Sequence, residues 1–150
     1  MAADKITSAS VTHIPVWYRK ELGKNAYIDN IGICRSEWLV RIGSASGLEG
    51  LTIANRYLRP PENSVGMLLD LFRESLIGRA VDELLAMDGN TVTGVAPSAH
   101  ALFRDQPWLT TAAFDLVGQS RGISCVEMLG GRHREWVPAY DTTMYFQDFL

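Results

Sequence analysis

The hydrophobic period changes once along this chain of 150 residues. Before Pro60 the apolar residues tend to alternate in twos, the repeat of a half-buried strand; after it they recur three and four apart, the repeat of an amphipathic helix. Strand-forming and helix-forming sequence are thus segregated rather than interleaved, which predicts an α+β domain and disfavours a parallel sheet wound with crossover helices. Residues 6–16 are rich in β-branched side chains, and Pro15 marks the expected strand exit because proline cannot donate to a ladder. Residues 37–42 alternate, with Trp38, Val40 and Ile42 on one face and Leu39 and Arg41 on the other. Ser44-Ala45-Ser46-Gly47 supplies a turn with glycine where a positive φ is wanted, and residues 48–54 return with Leu51 and Ile53 on one face. The expectation is a three-stranded antiparallel meander.

A helical series follows. Ser64 can N-cap a helix whose stripe is Val65, Leu68, Leu69, Phe72 and Leu76, ended by Gly78. A second short helix is expected around Val81, Leu84 and Leu85, stopping before Asp88-Gly89. A helical piece carries Leu102 and Phe103. The strongest helix spans residues 107–121, with proline in its first turn, a stripe of Leu109, Ala112, Ala113, Leu116 and Val117, and Gly122 just past its end. Ser124 and Glu127 have capping-box spacing for one further turn, closed by Gly130-Gly131. Trp136-Val137-Pro138-Ala139-Tyr140 then reads as a new strand.

Composition narrows the function classes. Hydrophobic residues at 47% and charged residues at 21% are globular proportions, and at this length a core needs no disulfide staples. A net charge of −3 and a pI near 5.6 give no general attraction to phosphate backbones or anionic lipid, so nucleic acid and membranes are not expected partners. No apolar run approaches a membrane span and no secretory segment follows Met1. Cys34 and Cys125 are far apart and form no metal knuckle, which points to a reduced, cytoplasmic protein. His13, His100 and His133 are isolated from one another, and nucleotide, nucleophile-elbow and zinc motifs are absent. Asp82, Glu83 and Asp88 read as a solvated face. The chain carries no self-contained active site, and no catalytic residue or metal ligand is assigned on it. One stretch stands out: residues 17–35, a connection of a length compact domains rarely keep without a use, are a candidate lid or binding loop, the bland alternative being a disordered surface loop.

The run Ala112-Ala113-Phe114-Asp115-Leu116-Val117-Gly118-Gln119-Ser120-Arg121-Gly122, followed by Val126-Glu127-Met128-Leu129-Gly130-Gly131 and Val137-Pro138-Ala139-Tyr140, closely resembles the domain junction of the enolase superfamily, in its mandelate racemase and muconate lactonizing branch. The hairpin from Leu39 to Gly50 resembles that branch's strand-turn-strand signature, and the likeness runs in order along essentially the whole chain. Gly50-Leu51-Thr52 departs from the glycine-tryptophan or glycine-glutamate pairing common in the family, which leaves the subgroup open.

The resemblance implies an enolase-like N-terminal capping domain over residues 1–136, with residues 137–150 as the first strand of a TIM-type barrel. It implies a fragment of a Mg²⁺-dependent enzyme that removes the proton α to a carboxylate of a hydroxy or sugar acid, as a dehydratase or racemase. The magnesium and the bases would belong to the rest of the barrel, so this chain alone is expected to be inactive. Its implied partners are a small carboxylate substrate, the remaining barrel and, in the intact enzyme, further copies in a homo-oligomer. Trp17, Tyr18, Tyr27 and Ile28 match the mobile lid, Asn55, Arg56 and Tyr57 a second substrate-facing loop, and Tyr140 and Thr142 the mouth end of the first barrel strand. Fold does not fix function, and a free-standing α+β binding module remains the alternative.

Overall fold

The computed structural model describes residues 3–22, 32–54, 64–132 and 134–139, with the backbone alone at 18–22, 32–33, 35–36 and 64. The expected meander is present: β1 (Ile6–Leu22), β2 (Gly32–Ser44) and β3 (Glu49–Ile53) form one antiparallel sheet in that order. Four helices follow, α1 (Ser64–Ser75), α2 (His100–Asp105), α3 (Leu109–Arg121) and α4 (Cys125–Met128), interrupted by a second, two-stranded sheet of β4 (Leu85–Asp88) and β5 (Thr91–Val95). None of the described helices is long and apolar enough to cross a membrane.

One core lies between the meander and the helices. β2 contributes Val40 and Ile42, both buried, and α1 contributes Leu68, Phe72 and Leu76. Each large side chain sealed in this way stabilises the fold by about 1.5–3 kcal/mol before conformational entropy is counted. The parity of β1 depends on an irregularity. Ile6 pairs with Ser44 and Ser8 with Gly43, so the ladder slips by one residue between them. The slip allows Ile6 and then Ala9 and Val11 to face the same core, whereas strict alternation would send Ile6 outward.

The tightest contact joins α3 to β3. The inward positions of β3 are Gly50 and Thr52, followed by Ala54, all buried, while Leu51 and Ile53 are on the outer face at 40% and 45% exposure. The two large residues, which the alternation groups together, therefore form the solvent side. The reason is space: a Cβ built on Gly50 would lie 2.3 Å from the carbonyl oxygen of Ala112 and 3.0 Å from the Cβ of Leu116. The helix stripe predicted from sequence is correspondingly small at the contact, and Leu109, Ala112, Ala113, Leu116 and Val117 are all buried. Polar contacts fix the approach. The Thr52 hydroxyl donates to the Trp108 carbonyl at 3.0 Å, inside the core. The Leu51 N–H donates to Asp115 at 3.0 Å, and the Gln119 amide donates to the Glu49 carbonyl at 2.7 Å and to Asp115 at 2.8 Å. β3 is an edge strand, and these side chains satisfy part of its free edge.

Helix ends follow their sequence signals. Gly122 closes α3 in the left-handed conformation with φ 65°. The Ser124–Glu127 capping box forms in both directions, and hydrogen bonds from the Ser124 N–H and hydroxyl hold the Glu127 carboxyl below its ordinary range. Gly130 and Gly131 both take positive φ just beyond it.

Three expectations are corrected. Pro15 does not end β1, which pairs on through Pro15↔Ser36 to Leu22, because β1 is an edge strand and an N atom turned to the free edge costs no ladder bond. The helix expected around Val81, Leu84 and Leu85 is a single 3₁₀ turn, Val81–Glu83, feeding β4. All three apolar residues are buried, so one tight turn produced the helical spacing. Asp88-Gly89, with Gly89 at φ 59°, then turns the chain into the β-branched residues of β5. Finally, residues 136–139 are not strand; Trp136 and Val137 are 74% and 71% exposed, and no ladder partner meets them among the described residues.

Gly50→Ala should lower stability by about 1–3 kcal/mol, as overpacking against a fixed backbone does. Gly66→Ala, on α1 with open space around the added methyl, should leave stability unchanged or raise it by about 0.5–1 kcal/mol. Urea unfolding of both variants checks this, and equal effects would refute the close approach. A second test concerns Asp4. Its carboxylate accepts from the Ser46 hydroxyl at 2.6 Å and the Ser46 N–H at 3.0 Å, and the hydroxyl is the main cause holding its pKa below the ordinary value. A lowered folded pKa means the contribution is complete above the unfolded Asp value and disappears as pH falls through the folded one. Asp4→Asn should therefore destabilise the turn at pH 7 and make no difference at the acid end, measured as paired pH-dependent melting curves.

Candidate functional site

β1 and β2 outrun β3. The last ladder pair of β3 is Ile53 with Leu39, so from His13 and Trp38 onward the sheet continues as a two-stranded ribbon. Such ribbons are marginal by themselves. Alternation puts His13, Pro15 and Trp17 of β1 on the helix-side face, opposite Trp38 and Cys34 of β2. At the root of the ribbon the His13 and Trp38 rings sit 4.7 Å apart with their planes tilted by 34°. Trp17 stands further out, 67% exposed, a large aromatic surface offered beyond the edge of the core.

Of the residues singled out from sequence, Trp17 is placed on this ribbon face and the backbone of Tyr18 belongs to β1. Tyr27, Ile28, Asn55, Arg56, Tyr57, Tyr140 and Thr142 lie outside the described residues. Antiparallel order nevertheless brings two of the expected regions to one end of the sheet. The Ala54 N–H donates to the Trp38 carbonyl at 2.9 Å, so the chain leaves β3 for Asn55 beside the root of the ribbon that carries Trp17. The expected lid is also shorter than residues 17–35. β-rich sequence at its two ends pairs as strand, leaving residues 23–31 between β1 and β2, outside the described part. Sequence reasoning missed the His13–Trp38 pair: the two are distant in sequence, and their contact depends on a register that only the assembled hairpin sets.

The described carboxylates are dispersed, and several are engaged locally. Asp82 meets Arg121 at 3.3 Å, Glu49 meets Arg41 at 3.5 Å, and Asp105 meets Arg104 at 2.8 Å. The last contact, chiefly the Arg104 hydrogen bond, holds the Asp105 carboxyl below its usual range. Asp115 is taken up by β3 and Gln119, and Glu127 by its cap. No group of three metal-ligating side chains converges among the described residues. A magnesium ion needs several oxygens at one point, and the described residues do not fit one. The groove along Arg134, Glu135, Trp136 and Pro138 is open to solvent and carries no such convergence either.

No family model and no curated protein matches the sequence. Solved structures do share the fold. 2-Chloromuconate cycloisomerase from Rhodococcus opacus 1CP superposes with a TM-score of 0.58 at 19% identity, covering 87% of this chain and 35% of its own. An enolase from Bradyrhizobium complexed with magnesium and mandelic acid gives 0.57 at 23% identity, with 89% and 37% covered. Muconate lactonizing enzyme from Pseudomonas fluorescens complexed with muconolactone gives 0.59 at 21% identity, with 89% and 36% covered.

The ribbon analysis leads to a direct expectation. Removing the ring by His13→Ala should lower the local opening free energy of the ribbon by about 0.5–1.5 kcal/mol, the value of an aromatic pair beyond its area. Amide exchange would accelerate at residues 13–17 and 34–38 while α3 stays protected; uniform acceleration would instead make His13 part of the global core. The chain spans about a third of the length of these three enzymes and shares the α+β fold of the part of each that it covers.

Proposed function

We propose that this chain is the capping part of a Mg²⁺-dependent enzyme that abstracts the proton α to a carboxylate of a hydroxy or sugar acid, as a dehydratase or racemase. The observation that carries the reading is the extent of the fold match, nearly nine-tenths of this chain against about a third of three enzymes of that architecture. Magnesium would supply charge stabilisation for the carboxylate oxygens as the α-proton leaves. In this reading its ligands and the general base belong to a barrel contributed by further sequence. Residues 1–136 form the cap in this reading, and residues 137–150 begin the barrel.

The cap's work is closure. Trp17, Tyr18 and Tyr27 from the ribbon and its connection, with Asn55, Arg56 and Tyr57 after β3, cover the distal end of the substrate and exclude water. Arg56 and Tyr57 donate hydrogen bonds to substrate oxygens. Tyr140 and Thr142 approach the carboxylate side. The exposed apolar residues Val126, Leu129, Trp136 and Val137 support this reading, since they concentrate where the chain turns from α4 toward the proposed barrel. The intact enzyme is cytoplasmic and homo-oligomeric in this proposal.

The test is solvent exchange. The complete reading frame that contains this chain, incubated with hydroxy and sugar acids in D₂O, should exchange the α-proton of at least one of them in a Mg²⁺-dependent way, followed by proton NMR. The 150-residue chain alone should exchange none and bind Mg²⁺ no tighter than about millimolar by calorimetry. A reading frame without a barrel, or a stoichiometric Mg²⁺ site on the chain itself, would refute the proposal and favour a free-standing binding module.

A further inference from the structure

The rings of the two-stranded ribbon are segregated. Beyond the end of β3 its helix-side face carries His13, Pro15 and Trp17 from β1 and Trp38 from β2, whereas the opposite face over the same span carries Ile14, Val16 and Glu37. His13, Pro15 and Trp17 are all exposed, so the described helices that seal Val40 leave this stretch open. It has a wall at each end. The His13–Trp38 pair, with ring centroids 4.7 Å apart, closes the end nearest the core. Trp17 stands four residues further out, about 13 Å along the strand at the usual rise. Pro15 lies midway, its side chain offering only C–H groups, and register sets the small Cys34 opposite Trp17, so β2 adds no second bulky side chain there. Once van der Waals contact is allowed at each wall, the span between them holds a single ring. Among the described side chains, no carboxylate, guanidinium or ammonium stands on this stretch.

We infer that this stretch is a subsite for an unhydroxylated ring, so that the acid covered by the cap carries an aromatic ring at its distal end and not a polyhydroxylated chain. The inference rests on the proposed role of the ribbon in covering the substrate, and narrows that role to one of the two substrate classes. Rings that stack or meet edge to face gain beyond the area they bury, and the indole of Trp17 and the imidazole of His13 both offer that contact. A sugar-acid chain would bring several hydroxyls onto the same stretch. Each needs a hydrogen-bond partner once water leaves, and the stretch supplies few: an indole N–H, the imidazole nitrogens and a thiol, which is a weak donor. An apolar surface disfavours one added hydroxyl by no more than about 100-fold. A preference is therefore expected, not an absolute exclusion.

The test compares 3-phenyllactate, lactate and gluconate in two measurements. In the first, saturation-transfer NMR reads binding of each acid to the 150-residue chain at millimolar concentrations. Transfer to the phenyl protons of phenyllactate is expected, with little to lactate or gluconate. Trp17→Ala should weaken that binding at least 10-fold, and Trp17→Phe, which keeps a ring, should retain most of it. In the second, the complete reading frame that contains this chain is assayed with Mg²⁺ for α-proton exchange in D₂O. Exchange of phenyllactate should exceed that of lactate and gluconate at least 10-fold in kcat/KM, and Trp17→Ala should erase most of this preference through KM. Equal transfer to gluconate, no transfer to phenyllactate, or phenyllactate binding indifferent to Trp17→Ala would overturn the inference. The comparison of the three acids on the unaltered chain decides it even where the alanine variant does not fold. Fastest exchange with gluconate would leave proton abstraction standing and overturn the ring subsite. Exchange of none of the acids would count against proton abstraction alone, with the transfer measurement still deciding whether the ribbon binds a ring.

Discussion

The structure is organised by how closely α3 can approach β3. Gly50 leaves no room for a methyl group between the strand and the Ala112 carbonyl, and the alanines of α3 let the two backbones come together. That approach brings the Thr52 hydroxyl to the Trp108 carbonyl and places Asp115 and Gln119 on the strand's open edge. A bulkier residue at any of these positions would lift the helix away and break several hydrogen bonds at once, so packing and polar satisfaction are coupled there. α3 also touches β2, β4, α4 and the 3₁₀ turn at Val81–Glu83. An error in its seating would therefore be transmitted to most of the domain.

The same seating explains why Leu51 and Ile53 lie on the outer face of the meander. Inward positions of β3 must be small, so its large residues Leu51 and Ile53 can only point outward. On that face Ile14 pairs with Glu37 and Leu39 with Thr12, so polar and apolar side chains are mixed there. The ribbon is the other consequence of unequal strand lengths: β1 and β2 extend well beyond Ile53 and carry Trp17 outside the core, held at their base by the His13–Trp38 contact.

The carboxylates tell a consistent story about where chemistry can reside. Several of those described are used in caps, edge contacts and surface pairs that sit apart from one another. Exposed pairs of this kind contribute about 0–1 kcal/mol each, so they orient local structure more than they stabilise the whole. The fold itself is shared with the cycloisomerase, the enolase and the lactonizing enzyme.

By itself the sequence determined the α+β order, the meander, the buried stripe of α3, the capping box at Ser124 and the glycine stops at 122 and 130–131. These features are local: periodicity, capping spacing and positive-φ glycines act within a few residues, so they can be read along the chain. Tertiary structure alone decided the rest. Whether Leu51 or Gly50 faced the core depended on the volume left by α3, and whether Pro15 ended a strand depended on which edge of β1 was free. The spacing of Val81, Leu84 and Leu85 fitted a helix and a 3₁₀ turn equally well until β5 arrived to pair with β4. Of the candidate site, the aromatic character of Trp17 was legible in sequence. Its position beside His13, Trp38 and the exit from β3 was not, because contacts between strands depend on register, and register is fixed only when the whole sheet closes against its helices.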